Sequence, residues 1–435
     1  MIEENQTIEG TVESLAFGGK GIIKHEGFVI FVPFTAPGDV VKVNITSVKK
    51  SFAEGDVVEV ITPASCRTKP TCQYYGICGG CQLQHISYES QTEQKAHFVA
   101  DAIERIGKIA LEEPVKCLPS STPWHYRRSI TFSIRSLLGN FGGGFVSYDN
   151  KEVISVEECP LFVKGPLLKD VHAMLHSLKG TPNRYDKVSI VKNGQGAFVL
   201  AFDFKKQFPK NLDIVMGHLL EENDSFAGAV AYFQERKKSY GVTSCSYDIE
   251  GLTISFSASA FVQTHPEQSA TIYNNIVKNA KECNAENVLD LYCGIGVSTL
   301  MLAKEGMHVT GVENNREATK RAIQNSKDND IKGAYFFRGD VSKVAEKLLA
   351  KDPDLVIINP PRTGVDDVTL AAINHAWPKN IIYISCMPAT LARDVAALKH
   401  RGYKISSCKA YDMFPQTTHV ETMVVLERII GAVKK

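Results

Sequence analysis

The sequence predicts a multidomain α/β protein: a small β-barrel, then a mixed α+β domain, then a doubly wound α/β domain. Three observations carry this. The first 62 residues are short alternating runs broken by Gly- and Pro-bearing turns. Residues 251–435 alternate strand-like and helix-like segments with regularity, which implies a mostly parallel sheet. Between them lie a cysteine cluster, one clear helix and many β-like runs. With 435 residues and about 150 residues per domain, roughly three domains are expected, and we bound them at 1–62, 63–250 and 251–435.

The runs 7–13, 27–33, 39–48 and 54–62 predict the barrel strands, with turns at Gly18-Gly19, Gly21 and Pro37-Gly38. Closing such a sheet removes its exposed edges. Five Lys against nine acids leave this segment at −4, so any contact with RNA goes through shape and backbone. In the central domain, Ala96, Val99, Ala100, Ile103 and Ile106 recur at helical spacing, predicting a helix over 90–106 with Gly107 just beyond it. Runs at 129–134, 188–191 and 196–204 predict strands. In the last domain, strands are predicted at 287–293, 308–313, 334–339, 355–359, 380–385, 403–411 and 420–428. Helices are predicted at 298–305, 316–327, 341–350, 368–375 and 389–400. No helix separates the last two strands, so an antiparallel pair is expected at one edge of the sheet.

Composition narrows the function classes. Hydrophobic residues at 44% and charged residues at 22% exclude disorder as a description of the chain. Lys+Arg 49 against Asp+Glu 48 gives +1, so total charge draws the protein to neither nucleic acid nor lipid, and an RNA partner needs local patches. The first six residues carry neither the basic nor the apolar region of a secretory signal. The longest nearly uncharged apolar stretch, 291–303, is 13 residues, short of the roughly 18 of a membrane span, so no membrane partner is expected. Eleven cysteines without a signal point to a reducing compartment, where clustered thiols mean metal or catalysis. A cytoplasmic monomer is expected.

The first strand of the predicted sheet runs through Leu289-Asp290-Leu291-Tyr292-Cys293-Gly294-Ile295-Gly296 directly into a helix. Glycines there permit a tight turn and close approach to a ligand. Glu313 ends the second strand, 17 residues after Gly296, where a carboxylate can accept both ribose hydroxyls of an adenosine. Val297 follows Gly296 and no third Gly appears, so a pyrophosphate is poorly served and S-adenosylmethionine fits better. The fourth strand ends Asn359-Pro360-Pro361-Arg362 and the fifth ends Ser385-Cys386-Met387-Pro388, placing a thiol at the edge where ligands bind in such sheets. His419-Val420-Glu421 puts a carboxylate at the start of the final strand. Nucleophile, carboxylate base and methyl donor make a set.

The run Ser385-Cys386-x-Pro388-x-Thr390-x-Ala392-Arg393-Asp394, with Pro360-Pro361-Arg362, His419-Val420-Glu421 and Phe261-Val262-Gln263, resembles the RNA (uracil-5-)-methyltransferase family over nearly the whole chain. The resemblance implies an OB-like TRAM barrel, an RNA-binding module, at 1–62 and a Rossmann-like class I methyltransferase domain at 251–435. It implies methylation of carbon 5 of uridine in RNA, with Cys386 adding to carbon 6 and Glu421 removing the carbon 5 proton. The target base must leave its stack to reach the thiol, with Phe261 as a stacking partner. Gln263, Tyr292, Gly294, Gly296, Glu313, Asp340 and Asn359 are the implied S-adenosylmethionine contacts. Three positions depart from the family's pattern: Val297 and His265 stand where Asn is usual, and Asn359 replaces Asp. Asn-Pro-Pro also resembles enzymes that methylate the amino group of adenine, which need no cysteine. A non-catalytic iron–sulfur RNA-binding protein is the alternative from another class.

Cys72-x5-Cys78-Gly79-Gly80-Cys81 supplies three thiolates and Cys159-Pro160 a distant fourth. Four thiolates suit zinc or an iron–sulfur cluster, and this three-plus-one spacing favours the cluster. The resemblance implies [4Fe-4S], as in the family's 23S ribosomal RNA branch, with transfer RNA as the alternative substrate. The other six cysteines read as ordinary residues. Trp124-His125-Tyr126-Arg127-Arg128 interleaves aromatics with guanidinium groups, so Trp124, Tyr126, Arg127 and Arg128 are candidate RNA contacts. Arg236-Lys237-Lys238 reads as a solvated turn.

Overall fold

The computed structural model describes residues 2–137, 140–163, 168–260 and 262–429. Strands β1 (Thr7–Thr11), β2 (Ser14–Leu15), β3 (Gly21–His25), β4 (Phe28–Val32), β5 (Val40–Val48) and β6 (Phe52–Thr62) form one sheet in the order β1-β5-β6-β4-β3-β2. Strand side chains alternate between faces, and the inward set, including Ile8, Ile23, Ile30, Val41, Val43 and Ile45, makes a separate core.

Helix α1 (Tyr88–Arg105) starts two residues earlier than its apolar pattern, because Ser87 Oγ caps it by accepting from Ser90 N. Its buried face carries Val99, Ala102 and Ile103, which join Leu391, Leu398 and Tyr403 of the C-terminal region in one core. Strand β7 (Lys116–Leu118) follows. Lys95 of α1 is fully buried and ion-paired with the equally buried Asp412, a pair that costs about 3–5 kcal/mol to break by removing one partner.

The central sheet contains β8 (Ser129–Leu137), β9 (Asn140–Val146), β10 (Val153–Ile154), β11 (Lys187–Lys192), β12 (Phe198–Asp203), β13 (Phe226–Phe233) and β14 (Arg236–Gly241), ordered β10-β9-β8-β11-β12-β13-β14. Two helices not anticipated from the sequence cover it, α2 (Leu168–Ser177) and α3 (Leu212–Glu222). At 10 and 11 residues they are too short to stand alone. Packing Val171, Leu175 and Met216 against Phe132, Phe198 and Phe202 holds them. Arg236, Lys237 and Lys238 are not a turn: they lie on β14, the edge strand, where charge blunts an exposed ladder.

A hairpin follows, β15 (Ser244–Ile249) and β16 (Leu252–Ser257), whose turn residues Glu250 and Gly251 are both left-handed, at φ 48 and 71°. Helix α4 (Pro266–Glu282), also unanticipated, opens on a proline at its first turn and packs Ile272, Ile276 and Ala280 onto the last sheet. That sheet is built from β17 (Asn287–Leu291), β18 (His308–Glu313), β19 (Ala334–Arg338), β20 (Leu355–Ile358), β21 (Asn380–Ser385), β22 (Tyr403–Tyr411) and β23 (Glu421–Arg428). Helices α5 (Val297–Lys304), α6 (Arg316–Asp328), α7 (Val341–Leu349), α8 (Asp367–Ala376) and α9 (Pro388–His400) connect its parallel strands and lead into β22. The order is β19-β18-β17-β20-β21-β23-β22-β7, with β17 to β21 parallel and β22 and β23 antiparallel to one another. The antiparallel pair is present but does not form the edge. Residues Lys116–Leu118, far away in sequence, add β7 parallel to β22 and take that position.

Candidate active site

The turn after β17 collects backbone strain at the ligand-binding edge: Tyr292, Gly294 and Gly296 have φ of 63, 58 and 86°. The two glycines differ in purpose. A side chain on Gly294 would meet nothing within 4 Å, so its backbone faces open space. On Gly296 a Cβ would lie 2.7 Å from the Phe336 ring and 3.0 Å from Ala322, so this glycine lets β19 and α6 close on the turn. Beneath the turn, fully buried Asp290 accepts hydrogen bonds from Ser298 Oγ (2.6 Å) and Thr299 Oγ1 (2.7 Å), fixing the start of α5. Burial pushes its carboxyl up to about 6. Glu313 accepts from Gly294 N at 3.1 Å and Asn315 N at 2.6 Å, so carboxylate and turn are already in register. Asp340 caps α7, accepting from Ser342 N and Oγ. Gln263, Ser298 and Asn359 line one small cavity beside Ile384 and Met413.

Cys386 and Glu421 are brought together by the sheet. Strands β21 and β23 pair antiparallel as far as Ser385 opposite Thr422, and Cys386 and Glu421 are the residues immediately beyond that last pair. Pro388 opens α9 directly behind the thiol. Burial, then the Glu421 carboxylate, push the Cys386 thiol up, while the Arg362 guanidinium opposes both. Glu421 is 4% exposed, and burial pushes its carboxyl up to about 8 against the same Arg362. Tyr273 of α4 also faces it. Arg362 and Asp290 join the candidate site without a pattern that singles them out: the first is one residue of Pro-Pro-Arg, and the second sits inside a strand without a signal of its own.

Cys72, Cys78, Cys81 and Cys159 all line one cavity of about 90 Å³, together with Tyr75, Gln84 and Arg127. Burial pushes the Cys81 thiol up to about 12, with Arg127 opposing. Among the described residues no group of three or more His, Cys, Asp or Glu side chains is placed to hold a metal ion. The four thiols share the lining of that one cavity.

The aromatic–basic run does not lie on one RNA face. Tyr126 is 3% exposed, its ring stacks on His265 at 4.6 Å and 15°, and its hydroxyl donates to Pro415 O, so no face is left for a base. Arg127 lines both the cysteine cavity and, with Arg128, the larger cleft on its other side. Arg128 lies 5.5 Å over the Tyr247 ring and lines a cleft of about 720 Å³ that extends to Gln263 and Thr264. Trp124 is half-buried. Phe261 lies outside the described residues. His265 is fully buried and hydrogen-bonded through Nε2 to Ser120 Oγ at 2.8 Å, a packing role.

Comparison with known proteins agrees with this geometry. The sequence model of tRNA (uracil-5-)-methyltransferases matches residues 248–429, and that of the TRAM domain residues 3–58. An uncharacterized RNA methyltransferase of Protochlamydia amoebophila is 39% identical, covering 97% of this chain and 98% of that protein. One from Halalkalibacterium halodurans is 31% identical, with 98% of each chain covered. The crystal structure of Pyrococcus abyssi tRNA (uracil-54, C5)-methyltransferase in complex with S-adenosyl-L-homocysteine is similar to 96% of this chain and 99% of its own, at 26% identity and a TM-score of 0.74. A doubly wound sheet with a strained first turn, a thiol and a carboxylate at its strand ends and a barrel in front define an RNA methyltransferase. Within that class, the chain belongs to the RNA (uracil-5-)-methyltransferase family with an N-terminal TRAM domain.

Proposed function

We propose that the protein methylates carbon 5 of a uridine in RNA through a covalent bond between Cys386 and carbon 6 of the base. The observation that supports this is the end of the β21–β23 ladder, where a thiol and a buried carboxylate follow the last pair and the carboxylate's charge pushes the thiol up. Carbon 5 of uracil is a feeble nucleophile. The Cys386 sulfur adds to carbon 6 and leaves carbon 5 enolate-like, ready to take a methyl group. S-adenosylmethionine supplies that methyl when bound, with Gln263, Tyr292, Gly294, Gly296, Glu313, Asp340 and Asn359 as its proposed contacts. Glu421 then takes the carbon 5 proton, and the electron pair of that C–H bond expels the Cys386 sulfur. Arg362 faces both groups and favours their anionic forms. Unpaired RNA is proposed to enter along the cleft at Arg128.

Ribosomal 23S RNA is the substrate we favour, from the four-cysteine pattern beside the barrel. Transfer RNA is the second reading, supported by the likeness to the Pyrococcus abyssi enzyme. Mass spectrometry of both RNA pools from cells lacking the gene decides between them, by which pool loses 5-methyluridine. We further propose a cytoplasmic monomer. None of the eleven cysteines is in a disulfide, one chain supplies every proposed catalytic group, and among the described residues no helix is long and apolar enough to cross a membrane.

For the cavity of Cys72, Cys78, Cys81 and Cys159 we propose a [4Fe-4S] cluster, supported by the donor chemistry and the shared space. Protein purified without oxygen is expected to be brown, with about four iron and four sulfide per chain. One zinc and no iron on metal analysis would refute this.

The Asn359 departure has its own expected result. Asn359 follows β20, next to the strand that carries Cys386. Asn359→Asp is expected to stay active on uridine and to shift the alkaline-dependent limb to higher pH, because an added carboxylate raises a neighbouring thiol. pH–rate profiles of both forms on one RNA check this. A methyl group found on an adenine amino group would select the amine-methylating reading instead.

A further inference from the structure

Strand β23 begins at Glu421, so the carboxylate stands at the end of its ladder and depends on the segment that feeds it. That segment, residues 412–419, is gripped by residues more than 280 positions earlier in the chain. Gln91 of α1 donates through Nε2 to Gln416 Oε1 at 2.9 Å, and its Oε1 accepts from Gln416 N at 2.9 Å. Both side chains are 2% exposed. Gln82 N and Leu83 N donate to Gln416 O at 3.2 and 3.0 Å. The Gln82 amide then spans two loops: its Nε2 donates to Gly79 O at 2.8 Å, and its Oε1 accepts from Thr418 N at 3.4 Å. Gly79 lies between Cys78 and Cys81, whereas Thr418 lies three residues before Glu421. Lys95 holds Asp412 and donates to Phe414 O, and Tyr126 Oη donates to Pro415 O at 3.0 Å.

This grip holds a backbone that does not rest by itself. Gln416 has φ 72°, a left-handed conformation that a residue with a Cβ keeps only when its surroundings dictate it. Every backbone polar group of Gln416 is used in the clasp, its N–H on Gln91 and its carbonyl on Gln82 and Leu83. We infer that Gln82 and Gln91 are positioning residues for Glu421, so that the loop carrying Cys78 and Cys81 sets where the carboxylate stands over the thiol. The inference rests on the base role proposed for Glu421. Misplacing a reacting group by about 1 Å costs on the order of 100-fold in rate. A loosened segment also admits water to a carboxylate whose neighbours are Cys386, Arg362 and Tyr273.

The test uses the full chain with Gln82→Leu and Gln91→Leu, each of which keeps side-chain bulk and removes the amide. Melting temperature, KM for S-adenosylmethionine, kcat and the fraction of RNA covalently bound during turnover are measured for both. The expected result is a kcat lower by about tenfold or more, a KM that falls with it so that kcat/KM is unchanged, a covalent adduct that accumulates on ordinary RNA, and a kcat limb displaced to lower pH. The half-buried Gln82 makes its variant the one that decides if Gln91→Leu does not fold. In a Glu421→Gln background, Gln82→Leu should cost nothing more, since both act on one step. Folded Gln82→Leu with native kcat, native pH limb and no adduct would overturn the inference while leaving Glu421 as base. Native turnover by Glu421→Gln would instead remove the base role, and the inference with it.

Discussion

Cys386→Ala is expected to reduce methyl transfer to the floor of the assay, a loss on the order of 10⁴-fold or more, because no other group supplies the nucleophile that activates carbon 5. Binding of S-adenosylmethionine should survive, since Cys386 is not among its proposed contacts, most of which lie on β17, β18 and the turns beside them. The native protein should form a stable adduct with RNA carrying 5-fluorouridine, where fluorine replaces the proton that the last step removes. The alanine variant should form none. A gel shift resistant to denaturant reads both. Native-level methylation by Cys386→Ala would remove the nucleophile assignment.

Glu421→Gln carries the second large effect, and it differs in kind. Addition and methyl transfer precede the step Glu421 serves, so turnover should fall by about 10²–10⁴-fold while the adduct accumulates on ordinary RNA. The pH dependence follows from the same carboxyl. Only the carboxylate can accept a proton, and burial holds this group up at about 8. In the native enzyme kcat should therefore rise with pH towards 8 wherever proton removal limits turnover, while kcat/KM follows the Cys386 thiol, which burial and Glu421 push up. Removing the Glu421 charge removes one of the causes that raise the thiol, so the glutamine variant should form its adduct at lower pH than the native enzyme does. Single-turnover adduct yields across pH measure this directly. Native turnover with no trapped species would move the base elsewhere.

What the sequence made legible was the part governed by local pattern. The alternation through 287–428 located every parallel strand of the last sheet to within two residues, because buried strands between amphipathic helices carry their period openly. Cys386 and Glu421 stood out as strand-end residues, yet their adjacency depends on the β21–β23 register. What failed were features decided by distant chain. Helices α2 and α3 are short and exist by packing. Strand β7 is three residues long and has meaning only as the partner of β22. Tyr126 and Arg127 read as RNA contacts because aromatic and basic types alternate there. The burial of Tyr126 against His265, and the approach of partly buried Arg127 to the four thiols, come from loops that meet only in the folded chain.

The position of β7 has a consequence for how the protein is made. Cys117 pairs with Ala410, so two neighbours in the finished sheet are separated by roughly 290 residues of synthesis, about 15–60 s at ordinary ribosome speeds. The barrel can close as soon as it emerges, since its core draws only on its own strands. Helix α1 cannot, because Val99 and Ile103 have their partners on α9 and β22. For most of its synthesis the chain therefore carries an apolar helix face and an unpaired strand in waiting. The enzyme is born as a finished barrel tethered to an open clasp, and α9 and β22, made long after it, are the elements that shut it.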